Sequence, residues 1–318
     1  MLEKNKVYRA RIQGYTSEGL GVARIDGQAV FVHQALRGEE CDILVLKVLK
    51  NAAFGKAVRV YAPSPHRVEP DCPYYGRCGG CDFRHMDREE ELEAKRQRVQ
   101  DALRRIGGSD VTVEGILSGA PLHYRNKSQY PVAADGSVGF YKARSHQVIP
   151  VERCRIQKPQ ADAAAQALRT YLRLYGVSCY DEKTRRGLVR YLYVRTNGAG
   201  QSLLCVLVNG KKLPHERELV DLLRQAVPEA VGVVLGVNTR PTGAVLGQEY
   251  RTLWGADVLT DTLCGLTFRL SVPSFYQVNR EMAEVLYRRA VEFAGLTGTE
   301  TVLDLYCGAG TITQVMAR

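Results

Sequence analysis

The chain has 318 residues, more than one typical domain, so two or three compact regions are expected. Its 45% apolar and 25% charged residues match an ordinary water-soluble globular protein and exclude a low-complexity or disordered one. Lys plus Arg (44) outnumber Asp plus Glu (34), and the resulting charge of +10 points to a polyanionic partner. No apolar run reaches the roughly 20 residues of a membrane span. The opening Met1-Leu-Glu-Lys-Asn-Lys6 lacks the apolar core of a signal peptide. No membrane partner and a cytoplasmic location are therefore expected, where the nine cysteines stay reduced.

Residues 4–61 read as a small β-barrel. Short strands are predicted at 7–12, 21–25, 29–32, 41–46 and 56–60, separated by glycines and an Asp26-Gly27 turn, which suits a closed antiparallel barrel. Ala62-Pro-Ser-Pro-His-Arg-Val-Glu-Pro70 is too proline-rich for a regular element and reads as a linker. The stretch Cys72-Pro-Tyr-Tyr-Gly-Arg-Cys78-Gly-Gly-Cys81 follows, and its glycines let both later sulfurs turn toward one centre. Thiolates this close repel unless a soft cation holds them, so the pattern implies zinc or an iron–sulfur cluster. Structural zinc usually takes two short Cys pairs. One compact trio with a remote fourth ligand favours [4Fe–4S], and Cys154, in the basic segment Pro150-Val-Glu-Arg-Cys154-Arg155, is the best fourth ligand. Free thiols and disulfides are the competing readings. Cys41, Cys179, Cys205 and Cys264 read as core or surface thiols. A charged helix is predicted over 87–105, stopped by Gly107-Gly108.

A second β-rich region opens at Tyr124, with a hairpin at Asp135-Gly136. Beyond it come a helix over 161–175, strands at 188–195 and 202–208 around Asn197-Gly198, a helix from Pro214 and an apolar strand at 231–237. Residues 121–158 carry Arg125, Lys127, Lys142, Arg144, Arg153, Arg155 and Lys158 against Asp135 and Glu152, with Tyr124, Tyr130, Phe140 and Tyr141 interleaved. Cations track phosphates and aromatic faces stack bases, so this composition suits single-stranded RNA. Lys183-Thr-Arg-Arg186, with Arg190 and Arg195, is a second cationic stretch. A solvated sheet face is the alternative for each.

From Cys264 the pattern changes. Met282, Val285, Leu286, Ala290, Phe293 and Ala294 share one helical face, and Gly295 stops that helix. Thr301-Val-Leu-Asp-Leu-Tyr-Cys-Gly-Ala-Gly-Thr311 then reads as a strand entering a glycine turn, the opening of a Rossmann-like site. Gly308 and Gly310 fit the dinucleotide fingerprint, but Thr313 stands at its third glycine and a P-loop lysine is absent. A ligand without phosphates, such as S-adenosylmethionine, suits the turn better, and a ligand-free strand–helix turn is the plain alternative. Gln277 and Asn279 stand ready as polar contacts, although Asn279 also suits a helix cap. Cys307 reads as a small core residue. Eight residues follow Gly310, too few to complete an α/β domain, so the domain is expected to continue past residue 318.

Together these segments resemble the bacterial 23S rRNA (uracil-5-)-methyltransferases, in one superfamily with the tRNA uracil-5-methyltransferases, over nearly the whole chain. The resemblance implies a multidomain α/β protein: an OB-like, RNA-binding TRAM barrel over 1–61, a central α+β domain with an iron–sulfur cluster over 62–263, and the start of a Rossmann-like class I methyltransferase domain over 264–318. It implies Cys72, Cys78, Cys81 and Cys154 as [4Fe–4S] ligands. Ser274-Phe-Tyr-Gln-Val-Asn279 and Asp304-Leu-Tyr-Cys-Gly-Ala-Gly310 match the S-adenosylmethionine signatures, which implies that Gln277 and Tyr306 contact the cofactor above the Gly308 turn.

The implied activity is methylation of uridine C5 in 23S rRNA by a monomer, with tRNA as the alternative substrate. A thiolate adding to uracil carbon 6 makes carbon 5 nucleophilic, and a base later removes the carbon 5 proton. In the family those residues lie beyond the glycine turn, so no catalytic residue is assigned in 1–318, and this chain is expected not to transfer methyl groups. A non-catalytic RNA-binding module and a radical enzyme are the competing classes. The radical class usually spaces its cysteines C-x3-C-x2-C, whereas here five residues separate Cys72 from Cys78.

Overall fold

The computed structural model describes residues 2–318. They form two compact units, the first running to Ser118 and the second spanning Gly119–Arg318. In the first, β1 (Val7–Tyr15), β2 (Gly21–Ile25), β3 (Gln28–His33), β4 (Glu40–Val48) and β5 (Ala52–Ala62) close into a barrel of order β1-β2-β3-β5-β4. Period-two alternation turns Ile12, Ala23, Val30, Val32, Ile43 and Val45 inward as one core. Asp26 and Gly27 both adopt left-handed φ, of 49° and 78°, as a two-residue hairpin turn requires. One pairing departs from the expected all-antiparallel barrel: β3 and β5 run parallel. Segment 34–39 carries the chain away from β3 to pair β4 with β1, so the β4–β5 hairpin returns alongside β3 in the same sense.

Helix α1 (Arg88–Arg105) starts where Asp87 accepts a 2.9 Å hydrogen bond from the Glu90 amide, and acidic residues fill its first turn. The linker before it has no regular element, yet it is fastened down. The Arg67 guanidinium donates to Glu39 Oε2 at 2.7 Å and to the Gln34 carbonyl at 2.9 Å. Glu39 is fully buried and also accepts from the amides of Leu36 and Ser64.

In the second unit β6 (Lys127–Pro131) is followed by the β7 (Gly139–Tyr141)–β8 (Val148–Pro150) ribbon and helix α2 (Pro159–Leu174). Strands β9 (Val189–Thr196) and β10 (Ser202–Val208), helix α3 (Glu216–Ala226), and strands β11 (Ala230–Val237) and β12 (Glu249–Gly255) complete a five-stranded sheet of order β12-β11-β10-β9-β6. Its central strands are apolar on both faces because both are covered. α2 and α3 pack on one side through Leu168, Tyr171, Leu219 and Leu223. The hairpin of β13 (Val258–Leu263) and β14 (Leu266–Ser271) supplies Leu259 to the other side, beside Val272.

Helix α4 (Arg280–Ala294) carries the expected caps: Asn279 accepts from the Met282 amide at 3.1 Å, and Gly295 is left-handed. Its buried face is another matter. Ala283 and Tyr287 point inward, whereas Leu286 and Phe293, of the shared apolar face read from the sequence, are 57% and 79% exposed. Nor does 301–305 form the expected strand. Among the described residues no strand lies beside it to complete a ladder, and Leu303 and Leu305 are exposed. The short helix α5 (Thr311–Met316) does follow the glycine turn.

Glu39 yields a test. Burial pushes its carboxyl up, but hydrogen bonds from Arg67, Leu36 and Ser64 outweigh that and hold it below its ordinary value. Glu39→Ala is expected to cost about 3 kcal/mol, the penalty for orphaning a partly buried guanidinium. Stability from a depressed carboxyl is complete above its unfolded value and is lost as pH falls through the folded one. The difference in urea midpoint between wild type and E39A should therefore shrink in acid below about pH 4.

Candidate functional site

The cysteine segment is a chain of tight turns. The Tyr75 amide donates to the Cys72 carbonyl at 3.0 Å and the Cys78 amide to the Tyr74 carbonyl at 2.8 Å. Tyr75 Oη donates to the Asp82 carbonyl at 2.8 Å, its ring stacks on His85, and Arg84 grips Asp71 through two 2.6 Å bonds. Burial, with Arg67 nearby, brings His85 down to about 4, so this imidazole is neutral. Cys72, Cys78 and Cys81 are all half-buried on this turn. Burial raises the Cys78 thiol, and the neighbouring Cys72 raises it further. Deprotonating both requires a compensating cation, so the donor chemistry fits a thiophilic centre. Among the described residues no three His, Cys, Asp or Glu side chains are gathered as a metal-holding group, so the structure shows a thiol-bearing turn rather than an assembled centre.

Cys154 belongs to the second unit. Its amide donates to Asp162 Oδ2 at 2.9 Å in the first turn of α2, and Asp162 also accepts from Tyr130 Oη at 2.9 Å. The residues after it run beside the start of β6. The His123 amide donates to the Arg155 carbonyl and the Arg125 amide to the Ile156 carbonyl, both at 3.0 Å.

Segment 274–279 meets the same start of β6 from the other direction. The Asn126 amide donates to the Val278 carbonyl at 2.8 Å, and Asn126 Nδ2 donates to the Gln277 carbonyl at 2.9 Å across 151 positions of sequence. Arg125 bridges Asn279 in antiparallel fashion. Asn126 is buried, and no periodicity marked it; only its place between two cations sets it apart. The Gln277 side chain is half-buried and makes no hydrogen bond among the described residues. Tyr306 is fully exposed, and Tyr306, Gly308 and Gly310 are all left-handed, with φ of 61°, 58° and 66°. A Cβ at Gly308 would meet nothing within 4 Å, so the turn is open to a ligand's approach. Tyr287 Oη, 2.8 Å from Thr311 Oγ1, ties this turn to α4. No hydrogen bond joins Gln277 to residues 306–308 among the described residues. An exposed ring, an open glycine turn and an uncommitted amide nonetheless fit an adenosine-bearing ligand without phosphates.

The cationic surface needs sorting. Lys142, Arg144, Arg153, Arg155, Lys183 and Arg186 are exposed, as expected of phosphate contacts. Tyr130 is not available for base stacking. It is wholly buried against Phe140, with ring centroids 4.7 Å apart, because its side of β6 faces α2. Arg190 is likewise internal, donating to the carbonyls of Asn238 at 2.7 Å and Arg240 at 2.8 Å with its guanidinium over the Tyr180 ring. Arg195 is buried and donates to Tyr193 Oη and the Ser274 carbonyl. Lys127 faces Arg195 across the β6–β9 register. Burial lowers its ammonium, and the charges of Arg195 and Arg125 lower it further.

Residues 2–58 match the TRAM domain family. The whole chain aligns with an uncharacterized RNA methyltransferase of Clostridium tetani at 40% identity over 322 residues, covering 70% of that protein. One from Halalkalibacterium halodurans is 39% identical over 323 residues, again with 70% of its length covered. Among solved structures, the Pyrococcus abyssi tRNA (uracil-54, C5)-methyltransferase in complex with S-adenosyl-L-homocysteine shares the fold. Its TM-score is 0.75 at 22% identity, over 96% of this chain and 69% of that one. Relatives of this identity and coverage place the chain among RNA-modifying enzymes. The chain belongs to the family of TRAM-containing RNA methyltransferases.

Asn126→Ala removes the side-chain bond to the Gln277 carbonyl. It is expected to cost about 1–2 kcal/mol and to speed amide exchange across 274–279 in hydrogen-exchange mass spectrometry. Exchange within the barrel should not change.

Proposed function

We propose that this family member methylates uridine C5 in 23S rRNA with S-adenosylmethionine, acting as a cytoplasmic monomer. The observation that carries this reading is the pairing of Arg125 and Asn126 with residues 277–279, which sets a cationic strand directly against the segment that matches the cofactor signature. The S-adenosyl-L-homocysteine of the Pyrococcus abyssi enzyme supports the choice of methyl donor. In this reading 1–61 is the RNA-binding TRAM domain, 62–263 the central domain and 264–318 the methyltransferase portion.

S-adenosylmethionine would supply an electrophilic methyl group. Gln277 would donate from its free amide, Tyr306 would lay its ring against the ligand, and Gly308 would let the backbone approach. The target base must leave its stack to arrive there. Attack from carbon 5 needs a thiolate at carbon 6. Burial lifts Cys41 and Cys179 each to about 11 and raises Cys205 and Cys264, so none of these is a poised thiolate. Cys307 is exposed on the glycine turn rather than packed in a core as its sequence context suggested, and it is given no role here. With Cys72, Cys78, Cys81 and Cys154 assigned to a [4Fe–4S] cluster, no cysteine of this chain is assigned to that step.

Mass spectrometry of RNA from cells lacking the gene tests the substrate. Loss of 5-methyluridine from 23S rRNA is expected, and loss from tRNA alone would transfer the assignment to tRNA, on which the Pyrococcus abyssi neighbour acts. Oxygen-free preparations should contain about four iron atoms per chain with matching sulfide, and Cys154→Ser should lower both. Preparations containing neither would remove the cluster from the reading.

A further inference from the structure

We propose that Arg125, Lys127 and Arg195 anchor one phosphate of the RNA backbone beside the segment that carries Gln277. The inference rests on RNA being the substrate and names which atoms hold it.

Lys127 and Arg195 are direct partners in the β6–β9 register, so their side chains leave the same face of the sheet side by side. Arg195 is only 2% exposed. Its Nε and Nη2 are committed to Tyr193 Oη and the Ser274 carbonyl, while Nη1 is buried with no partner. Arg125 Nε is also buried without a partner. Buried donors are nearly always satisfied, so two orphaned guanidinium nitrogens flanking an ammonium are an anomaly that an acceptor would resolve.

Among the described residues no carboxylate hydrogen-bonds to either nitrogen. Glu281 pairs with Lys158 at 3.6 Å, and Asp261 lies 3.4 Å from Arg280 while accepting from the amides of Gly198 and Thr262. The lowered Lys127 ammonium agrees, since burial, Arg195 and Arg125 all act against it. A phosphodiester suits this cluster of cations in charge and in hydrogen-bonding capacity. It bears one negative charge on two exposed oxygens, and guanidinium forks fit phosphate oxygens well.

Position makes the anchor specific. Arg195 donates to the Ser274 carbonyl, at one end of segment 274–279, while Arg125 bridges Asn279 at the other. A phosphate gripped between them would fix the nucleotide whose base must reach the methyl donor. Such an anchor is a positioning device, not a catalytic group.

The test uses Lys127→Met in the full 318-residue chain, with a uridine-rich single-stranded RNA as probe. Affinity is measured across a salt series, and thermal midpoints are taken with and without RNA. The anchor predicts weaker RNA binding, a slope of log K against log salt shallower by about one, and a midpoint of the free protein that is unchanged or higher, because a like charge has gone. Lys127→Arg should keep the wild-type slope. If K127M binds RNA with wild-type affinity and slope, the anchor is wrong though the RNA reading stands. A wild-type chain that binds no RNA at low salt overturns both. Should K127M fail to fold, the cation is structural and the anchor is wrong, unless Lys127→Gln folds and gives the shallower slope. Tighter binding of polyglutamate than of RNA, lost in K127M, would overturn it in favour of an acidic protein partner.

Discussion

Three residues at the start of β6 organise the second unit's candidate site, and they do so through a rule of extended backbone. Successive amides of a strand point to opposite edges. The Arg125 amide therefore reaches Ile156 on one side, and the Asn126 amide reaches Val278 on the other. A single step along the chain thus holds the Cys154 segment and the Gln277 segment on opposite flanks of one short stretch. Neither flank has a regular strand of its own there. Both borrow their order from β6, which is itself locked by β9 through the Thr196 amide and the Asn126 carbonyl.

The same stretch is where charge is least comfortable. Stable proteins pair their buried donors and disperse like charges. Here the register places Lys127 opposite Arg195, and Arg125 lies close enough to add to the repulsion. Electrostatics this unfavourable persists only where the surrounding structure over-determines it, and such places concentrate at functional sites. The surrounding structure is at hand: Arg195 is gripped by Tyr193 and Ser274, and Arg125 by backbone bridges to Gln157 and Asn279. The chain holds positive charge still in the absence of a partner, which spares an incoming polyanion the ordering cost.

What the sequence made legible was local. The Asp87 and Asn279 caps, the Gly295 stop and the Asp26-Gly27 turn are decided within a few residues, and each forms as read. The barrel strands were visible because alternation is a short-range pattern. What failed depended on neighbours distant in sequence. The α4 stripe of Leu286 and Phe293 looked like a core face, but the β13–β14 hairpin and α5 meet Ala283 and Tyr287 instead. Tyr130 and Phe140 looked like stacking platforms until α2 covered them. Arg190 and Arg195 looked like surface cations, although an arginine inside an otherwise apolar strand already signals a buried guanidinium in search of acceptors. The candidate cofactor residues Gln277, Tyr306 and Gly308 rest on motif alone, whereas the tie through Asn126 required the sheet.

The first unit shows how the cysteine turn shares its supports with the barrel. Segment 34–39 between β3 and β4 supplies both the Gln34 carbonyl and the Glu39 carboxylate that grip Arg67. The same Gln34 leans on the turn: a Cβ at Gly76 would come within 2.6 Å of its Nε2. On another barrel loop, a Cβ at left-handed Gly19 would fall 2.7 Å from the Phe83 ring, just beyond Cys81. Both positions have a left-handed backbone that favours glycine, and at Gly19 the Phe83 ring also leaves no room for a side chain. Within this unit the thiols are thus braced from two directions by the fold that matches an RNA-binding domain family. Gln34 and Phe83 thus set the cysteine turn close against two loops of the barrel.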